Sequence, residues 1–182
     1  MTDELKLNGL SRKSIVLAST SEARREILVN AGLEVQIDPP QVDESKIKRS
    51  THENRLDTAI LAASLAEHKA DSVTRRHPGL LVIGADQILE CDGEIFDKPD
   101  NFDTARNQLQ MLSGRQHQLV SAVCIIRDGE RLWDVVDKAQ LWMRPFGDEF
   151  IECYLRAVGN AALAGPGGYQ MERLGIQLFQ RI

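Results

Sequence analysis

Two Asp-Gly pairs constrain this chain more than any other feature. Asp92-Gly93 separates ILEC from EIF, and Asp128-Gly129 separates HQLVSAVCIIR from RLWDVVDKAQLWMR. Asp-Gly tolerates the consecutive positive-φ values of a two-residue hairpin turn, and the apolar, β-branched runs on either side complete the signal. Two hairpins, the second one long, forbid a purely parallel sheet. Helical patterns are interleaved with these strands, so the expected class is α/β with a mixed, twisted sheet, flanking helices and long hairpins.

The remaining elements follow from periodicity and turn residues. SIVLAS (14–19) reads as a short buried strand, and 21–31 as a helix stopped by Gly32, with Ala23, Ile27, Leu28 and Ala31 as its buried face. Leu33 to Ile37 is a second short strand. Pro39-Pro40 then predicts an extended loop to about Ser50. A long helix is expected from Thr51 to Arg76, opened by a Ser50–Glu53 capping box and striped by Leu56, Ala59, Ile60, Ala63 and Ala66. LLVIGA (80–85) has the continuous apolar character of a central strand buried on both faces. Asn101 to Leu112 and Phe146 to Val158 read as helices ended by Gly114 and Gly159, and AGPGGY leads to a final strand near GIQLFQRI.

Composition narrows the class of function. A length of 182 residues suggests a single domain, with residues 1–13 as a flexible N-terminal arm. The net charge of −5 argues against broad nucleic-acid or anionic-membrane binding. No apolar run approaches the ~18 residues of a membrane span, and MTDELKLNGLSRKS lacks the apolar core of a secretory signal. Cys91, Cys124 and Cys153 are far apart and odd in number, which predicts buried, reduced thiols.

Five places carry residues suited to chemistry. In LASTSEARREIL, Ser19 and Glu22 fit a capping box, yet the same strand-to-helix junction offers free amides to a phosphate, with Arg24 as a second contact. Asp86 in IGADQ follows an apolar strand, where a carboxylate serves as turn former, metal ligand or general base. Asp43 and Glu44 form an adjacent acidic pair in VDESK. Lys98 is pinned by Pro99 in FDKPD, and Lys69 lies late on the long helix. There is no P-loop pattern and no credible nucleophile triad. Cations at Arg24, Lys69 and Lys98 beside acids at Glu44 and Asp86 suit hydrolysis of a phosphoanhydride.

These pieces occur in a recognisable order. LAST-S-x-x-RR, VDE, A-x-x-KA, GADQ, D-G-E-x-x-x-KP, A-x-x-x-L-x-x-L-SGR-x-H and GY-x-x-E-x-LG together resemble the Maf family of nucleoside triphosphate pyrophosphatases, also called septum formation proteins. The resemblance runs from about Ile15 to Ile182. It implies a two-lobed fold with a central cleft, akin to the inosine-triphosphate pyrophosphatases. It implies hydrolysis of a nucleoside triphosphate to the monophosphate and pyrophosphate with Mg2+ or Mn2+, in a cytoplasmic protein that is often a homodimer. Asp86 matches the family's proton acceptor, Glu44 a metal partner alongside it, and Lys69 and Lys98 its phosphate-handling lysines. Arg24 matches the second arginine position of the first motif, and Ser19 lies in the anion-binding turn.

Gln87 and Glu172 stand where the resemblance places base recognition, and both look like the branch acting on 7-methyl-GTP. A carboxylate can accept from guanine N1–H and the N2 amino group together. Ala23 replaces a larger residue and changes the pocket wall, Glu22 replaces a proline, and Arg173 stands where glycine is common. The GDY…GLPL-type element with which members usually continue is absent after Ile182. These departures motivate an alternative: a non-catalytic regulator of septum formation that binds nucleotide or a division protein.

Overall fold

In the computed structural model, which describes residues 14–53 and 57–182 (50–53 by backbone alone), both Asp-Gly pairs form hairpin turns. Asp92 and Asp128 each take φ of 52°, and Gly93 and Gly129 each take 84°, the left-handed values of a type I′ turn. The first turn joins strand β3 (Leu81–Cys91) to β4 (Glu94–Phe96), and the second joins β5 (Gln116–Arg127) to β6 (Glu130–Met143). With β1 (Ile15–Ala18), β2 (Val35–Ile37) and β7 (Phe179–Arg181) they make a seven-stranded sheet. Its order is β2-β1-β3-β5-β6-β7, with β4 pairing to β3 outside that path. β1 runs parallel to β2 and β3, and the other pairings are antiparallel. The mixed α/β sheet is the one that the turns and helical patterns predict.

LLVIGA is only the first half of β3, which continues through ILEC. Its burial alternates, with Val82 and Gly84 buried and Leu81 and Ile83 part-exposed. The reason lies in how the sheet is covered. One core joins Val82 and Ile88 of β3 to Val120, Ala122, Cys124 and Ile126 of β5, beneath helix α3 (Thr58–Thr74). A second core joins Leu89 and Cys91 to Leu119, Leu141 and Met143, beneath α4 (Phe102–Leu112) and α5 (Asp148–Val158). Successive side chains alternate across a sheet, so Ile88 and Leu89, like Val120 and Leu119, face opposite sides. The strands thus pass from a core on one face to a core on the other, which gives two lobes on shared strands.

The helices depart from expectation in three ways. First, α1 (Glu22–Asn30) starts two residues later than a Ser19–Glu22 box requires: Ser21 is its N-cap, with Oγ 3.5 Å from the Arg24 amide. None of its residues is buried, Ile27 is 68% exposed, and Ala31 is exposed as well. The helix lies at the β1–β2 margin, where strands of four and three residues offer little surface to cover it. Second, the extended loop ends by Asp43, and α2 (Glu44–Glu53) fills the space assigned to it. The long helix instead begins after Asp57, whose carboxylate accepts from the Ala59 amide at 2.8 Å. The side chains of the proposed Ser50–Glu53 box, Leu56, and the arm at 1–13 lie outside the described residues. Third, α3 buries Leu61, Ala62, Leu65, Ala66, Lys69, Ala70 and Val73, while Ile60 is 50% exposed. TAILAASLA is apolar nearly all round, so periodicity alone does not select the buried face.

Near the end of the chain, GIQLFQRI is mostly a 3-10 turn (Leu174–Leu178) before the three residues of β7. Cys91 and Cys124 are buried free thiols, but Cys153 is exposed on α5.

α3 touches β3 at backbone distance. A Cβ on Gly84 would lie 2.1 Å from the Ala66 carbonyl oxygen and 2.8 Å from the Ala70 Cβ. Gly84→Ala is expected to lift α3 from the sheet and lower unfolding free energy by about 1–3 kcal/mol, read by urea denaturation. At the far end of α3, the Asp38 carboxylate receives Arg76 Nη2 at 2.7 Å, Arg76 Nε at 2.9 Å and His77 Nε2 at 2.7 Å. Hydrogen bonds from Arg76 and then His77 hold its pKa at about 2 rather than 3.8. This contribution to stability is present above 3.8 and disappears as the pH falls towards 2. Asp38→Asn should therefore flatten the acid limb of stability across that interval in pH-dependent melts.

Candidate functional site

β1 pairs with β3 only as far as Gly84, and β4 pairs only from Leu89. Among the described residues, the edge of β3 from Ala85 to Ile88 has no strand beside it, although β5 pairs along its other side. An unpaired strand edge presents free backbone groups. Several elements open onto this gap. β1 ends there at Ala18, followed by Ser19 and the start of α1. β4 runs antiparallel to β3, so the chain leaving Phe96 heads back towards the gap with Asp97 and Lys98. α3 lies over one face, and α2 packs against α3 through Glu44.

The side chains meet in a defined pattern. Lys69 is 8% exposed, and its Nζ lies 2.5 Å from Asp86 Oδ1 and 2.9 Å from Glu44 Oε1. One ammonium therefore bridges carboxylates from two different elements. Arg24 turns inwards: its Nη1 donates to the Ala85 carbonyl at 2.8 Å and to Ser19 Oγ at 3.1 Å. Arg25 turns outwards and pairs with Glu22. Burial pulls the Arg24 pKa down, opposed by the fields of Asp86 and Glu44, which favour its charge. Among the described residues, Arg24 forms no ion pair, so a half-buried guanidinium remains available for an anion. Ser21 Oγ takes the Arg24 amide, which leaves the Glu22 and Ala23 amides of the first turn without an intrahelical acceptor.

The acidic pair separates. Glu44 bonds Lys69, whereas Asp43 accepts from Ser45 Oγ at 2.6 Å. Lys98 is exposed, without a hydrogen-bond or ion-pair partner among the described residues. Its neighbour Asp97 pairs with Lys48 of α2, tying the Lys98 loop to the helix that carries Glu44. Ala23 is half-buried in the first turn of α1. Gln87, next to Asp86 in a regular ladder, faces the other side of the sheet and donates from Nε2 to Ser121 Oγ at 3.0 Å. Glu172 is exposed on the turn closed by the Arg173 amide and the Gln170 carbonyl, 3.2 Å apart, and among the described residues no hydrogen bond or ion pair joins it to the Asp86 cluster. The structure thus gathers Ser19, Arg24, Glu44, Lys69 and Asp86, leaves Lys98 exposed on the loop after β4, and sets Gln87 and Glu172 apart.

Asp86 lies in mid-strand, not at the end of a strand as the LLVIGA boundary suggests. The Ala85 carbonyl and the Lys48–Asp97 tie are site features that sequence reasoning missed. Gly84 gave a usable signal, since a glycine inside an apolar strand often marks a close backbone approach.

A family model described as Maf-like protein matches residues 14–182. The chain belongs to the Maf family. Among curated relatives, a nucleoside triphosphate pyrophosphatase of Nitrobacter hamburgensis is 45% identical over 170 residues, covering 93% of this chain and 83% of its own. One of the same name from Paramagnetospirillum magneticum is 46% identical over 164 residues, covering 90% and 84%. A 7-methyl-GTP pyrophosphatase of Mesorhizobium japonicum is 44% identical over 170 residues, covering 93% and 85%.

The Maf site offers hard oxygen donors to a divalent cation. Lys69 engages one oxygen of each carboxylate, Glu44 and Asp86. Two carboxylates completed by substrate phosphates and water are a donor set that Mg2+ accepts. Removing the bridging ammonium should expose the repulsion between these acids. Lys69→Met is expected to lose about 3 kcal/mol of stability in EDTA. Mg2+ should restore more stability to this variant than to wild type in paired chemical-denaturation curves.

Proposed function

We propose that this Maf protein hydrolyses a nucleoside triphosphate to the nucleoside monophosphate and pyrophosphate. The observation that carries the reading is the Lys69 ammonium held between Glu44 and Asp86, with the unpaired Arg24 guanidinium on the same strand edge. The triphosphate is an extended tetra-anion, and the gap offers it Arg24, the α1 amides, Lys69 and Lys98 along one path. Ser19 holds the Arg24 fork in place. Glu44 and Asp86 would hold Mg2+ or Mn2+, which supplies charge neutralisation and polarises the attacked phosphorus.

The protein's own residues perform the rest. Asp86 takes a proton from water as the water oxygen bonds to phosphorus, the α–β phosphoanhydride bond breaks, and pyrophosphate leaves with the electron pair. Arg24 and the lysines stabilise the charge that builds on the leaving oxygens. A ligand in the gap meets the sheet edge-on, so it can border side chains from both faces, including Gln87.

The base we propose is a guanine methylated at N7, read by Gln87 and Glu172, with Ala23 leaving room in the pocket wall. Relatives at similar identity carry both the general and the 7-methyl-GTP names, and the Glu172 carboxylate matches the donor edge of guanine. The reading extends to a homodimer in the cytoplasm, the dimer being checked by light scattering. Among the described residues, no helix is long and apolar enough to cross a membrane.

The test is a panel of 7-methyl-GTP, GTP, dTTP and UTP with Mg2+ or Mn2+, followed by release of pyrophosphate. Turnover should be fastest on 7-methyl-GTP, and Asp86→Asn should reduce it by about 10²–10⁴-fold. A pyrimidine preference would overturn the assignment of the base. Equal rates for wild type and Asp86→Asn would overturn the assignment of the site.

A further inference from the structure

The turn that carries Glu172 is rooted far more deeply than an ordinary surface turn. The Gly167 amide donates to Gln108 Oε1 of α4 at 2.9 Å, and the Tyr154 hydroxyl of α5 donates to the Gly168 carbonyl at 3.4 Å. Tyr169 is 4% exposed, and its hydroxyl shares a hydrogen bond of 2.9 Å with Nε2 of His117 on β5. The two rings pack with Phe179, which meets Tyr169 edge-on at 5.0 Å between centroids. On the other side of the turn, Gly175 lies against the Gln170 backbone, where an added Cβ would come within 2.4 Å of the Gln170 oxygen. Buried anchors at Tyr169 and Gly175 therefore bracket exposed residues that include Glu172 and Arg173.

His117 is the unusual member. It is 3% exposed, and among the described residues its Nδ1 has no partner. A buried polar atom left unpaired is destabilising, so an apolar residue at this position would serve packing better. Burial also holds the imidazole neutral, with a pKa pushed down to about 4. What His117 supplies beyond bulk is the one hydrogen bond to Tyr169. That bond fixes the rotation of the tyrosine ring, and with it the backbone that enters the turn.

We infer that His117 is a positioning residue for base selection, acting through the Tyr169 hydroxyl to hold Glu172 at a fixed place relative to the gap. The inference rests on the reading of Glu172 as a base-recognition residue. It concerns discrimination between nucleotides, because neither His117 nor Tyr169 touches Arg24, Lys69 or Asp86.

The experiment compares Tyr169→Phe, Glu172→Ala and the double variant on the nucleotide panel, with melting temperature followed in each. Tyr169→Phe should raise KM for the preferred nucleotide by about tenfold, the scale of one hydrogen bond, with kcat little changed. Its selectivity over the other nucleotides should fall, and its effect should largely vanish in the Glu172→Ala background. His117→Leu should reproduce the loss, while His117→Gln, which keeps a polar partner for the hydroxyl, should recover part of the selectivity at a similar melting temperature. Equal loss on every nucleotide, or effects that add in the double variant, would overturn the inference and leave Glu172 in its role. A Glu172→Ala variant with unchanged selectivity would overturn the reading of Glu172 and the inference together.

Discussion

The close seat of α3 on β3 at Gly84 is the constraint on which the site depends. With no side chain at that position, the helix backbone approaches the strand backbone, and Lys69, one turn beyond Ala66, comes level with Asp86. A lysine so nearly buried needs partners, and it finds one on the strand and one on α2. α2 is thereby drawn against α3, and its Lys48 holds Asp97 beside the Lys98 loop. Removing the close approach would loosen these contacts in turn, because each places the element that makes the next.

The gap beside Ala85 to Ile88 is the second condition. In a continuous sheet those backbone groups would be consumed by a neighbouring strand. Here β1 stops and β4 has not begun, so the Ala85 carbonyl is free to hold Arg24. The same interruption leaves room for a ligand and lets residues of α1, α2 and α3 contribute to one site. Cations and acids that lie far apart in the chain thus share a strand edge.

Much of this was legible in the sequence, for identifiable reasons. The Asp-Gly turns announced both hairpins because few dipeptides tolerate two left-handed residues. Ser19, Arg24, Glu44, Lys69 and Asp86 could be named from charge, spacing and family resemblance. Other features depended on tertiary partners. Arg24 and Arg25 are equivalent in the sequence, and only the Ala85 carbonyl on one side and Glu22 on the other separate them. The boundary between α2 and α3 was hidden by residues that favour helix on both sides of Asp57. Gln87 is a neighbour of Asp86 along the chain, but strand alternation turns it to the other face.

The change of core between Ile88 and Leu89 makes the shared strands behave as a beam supported from below at one end and from above at the other. A packing defect under α3 has little direct side-chain route to the lobe beneath α4 and α5. It can travel there as altered twist in β3 and β5. The fulcrum of that beam adjoins the strand gap, so the spacing between the Lys69 cluster and the turn that carries Glu172 becomes a property of strand curvature.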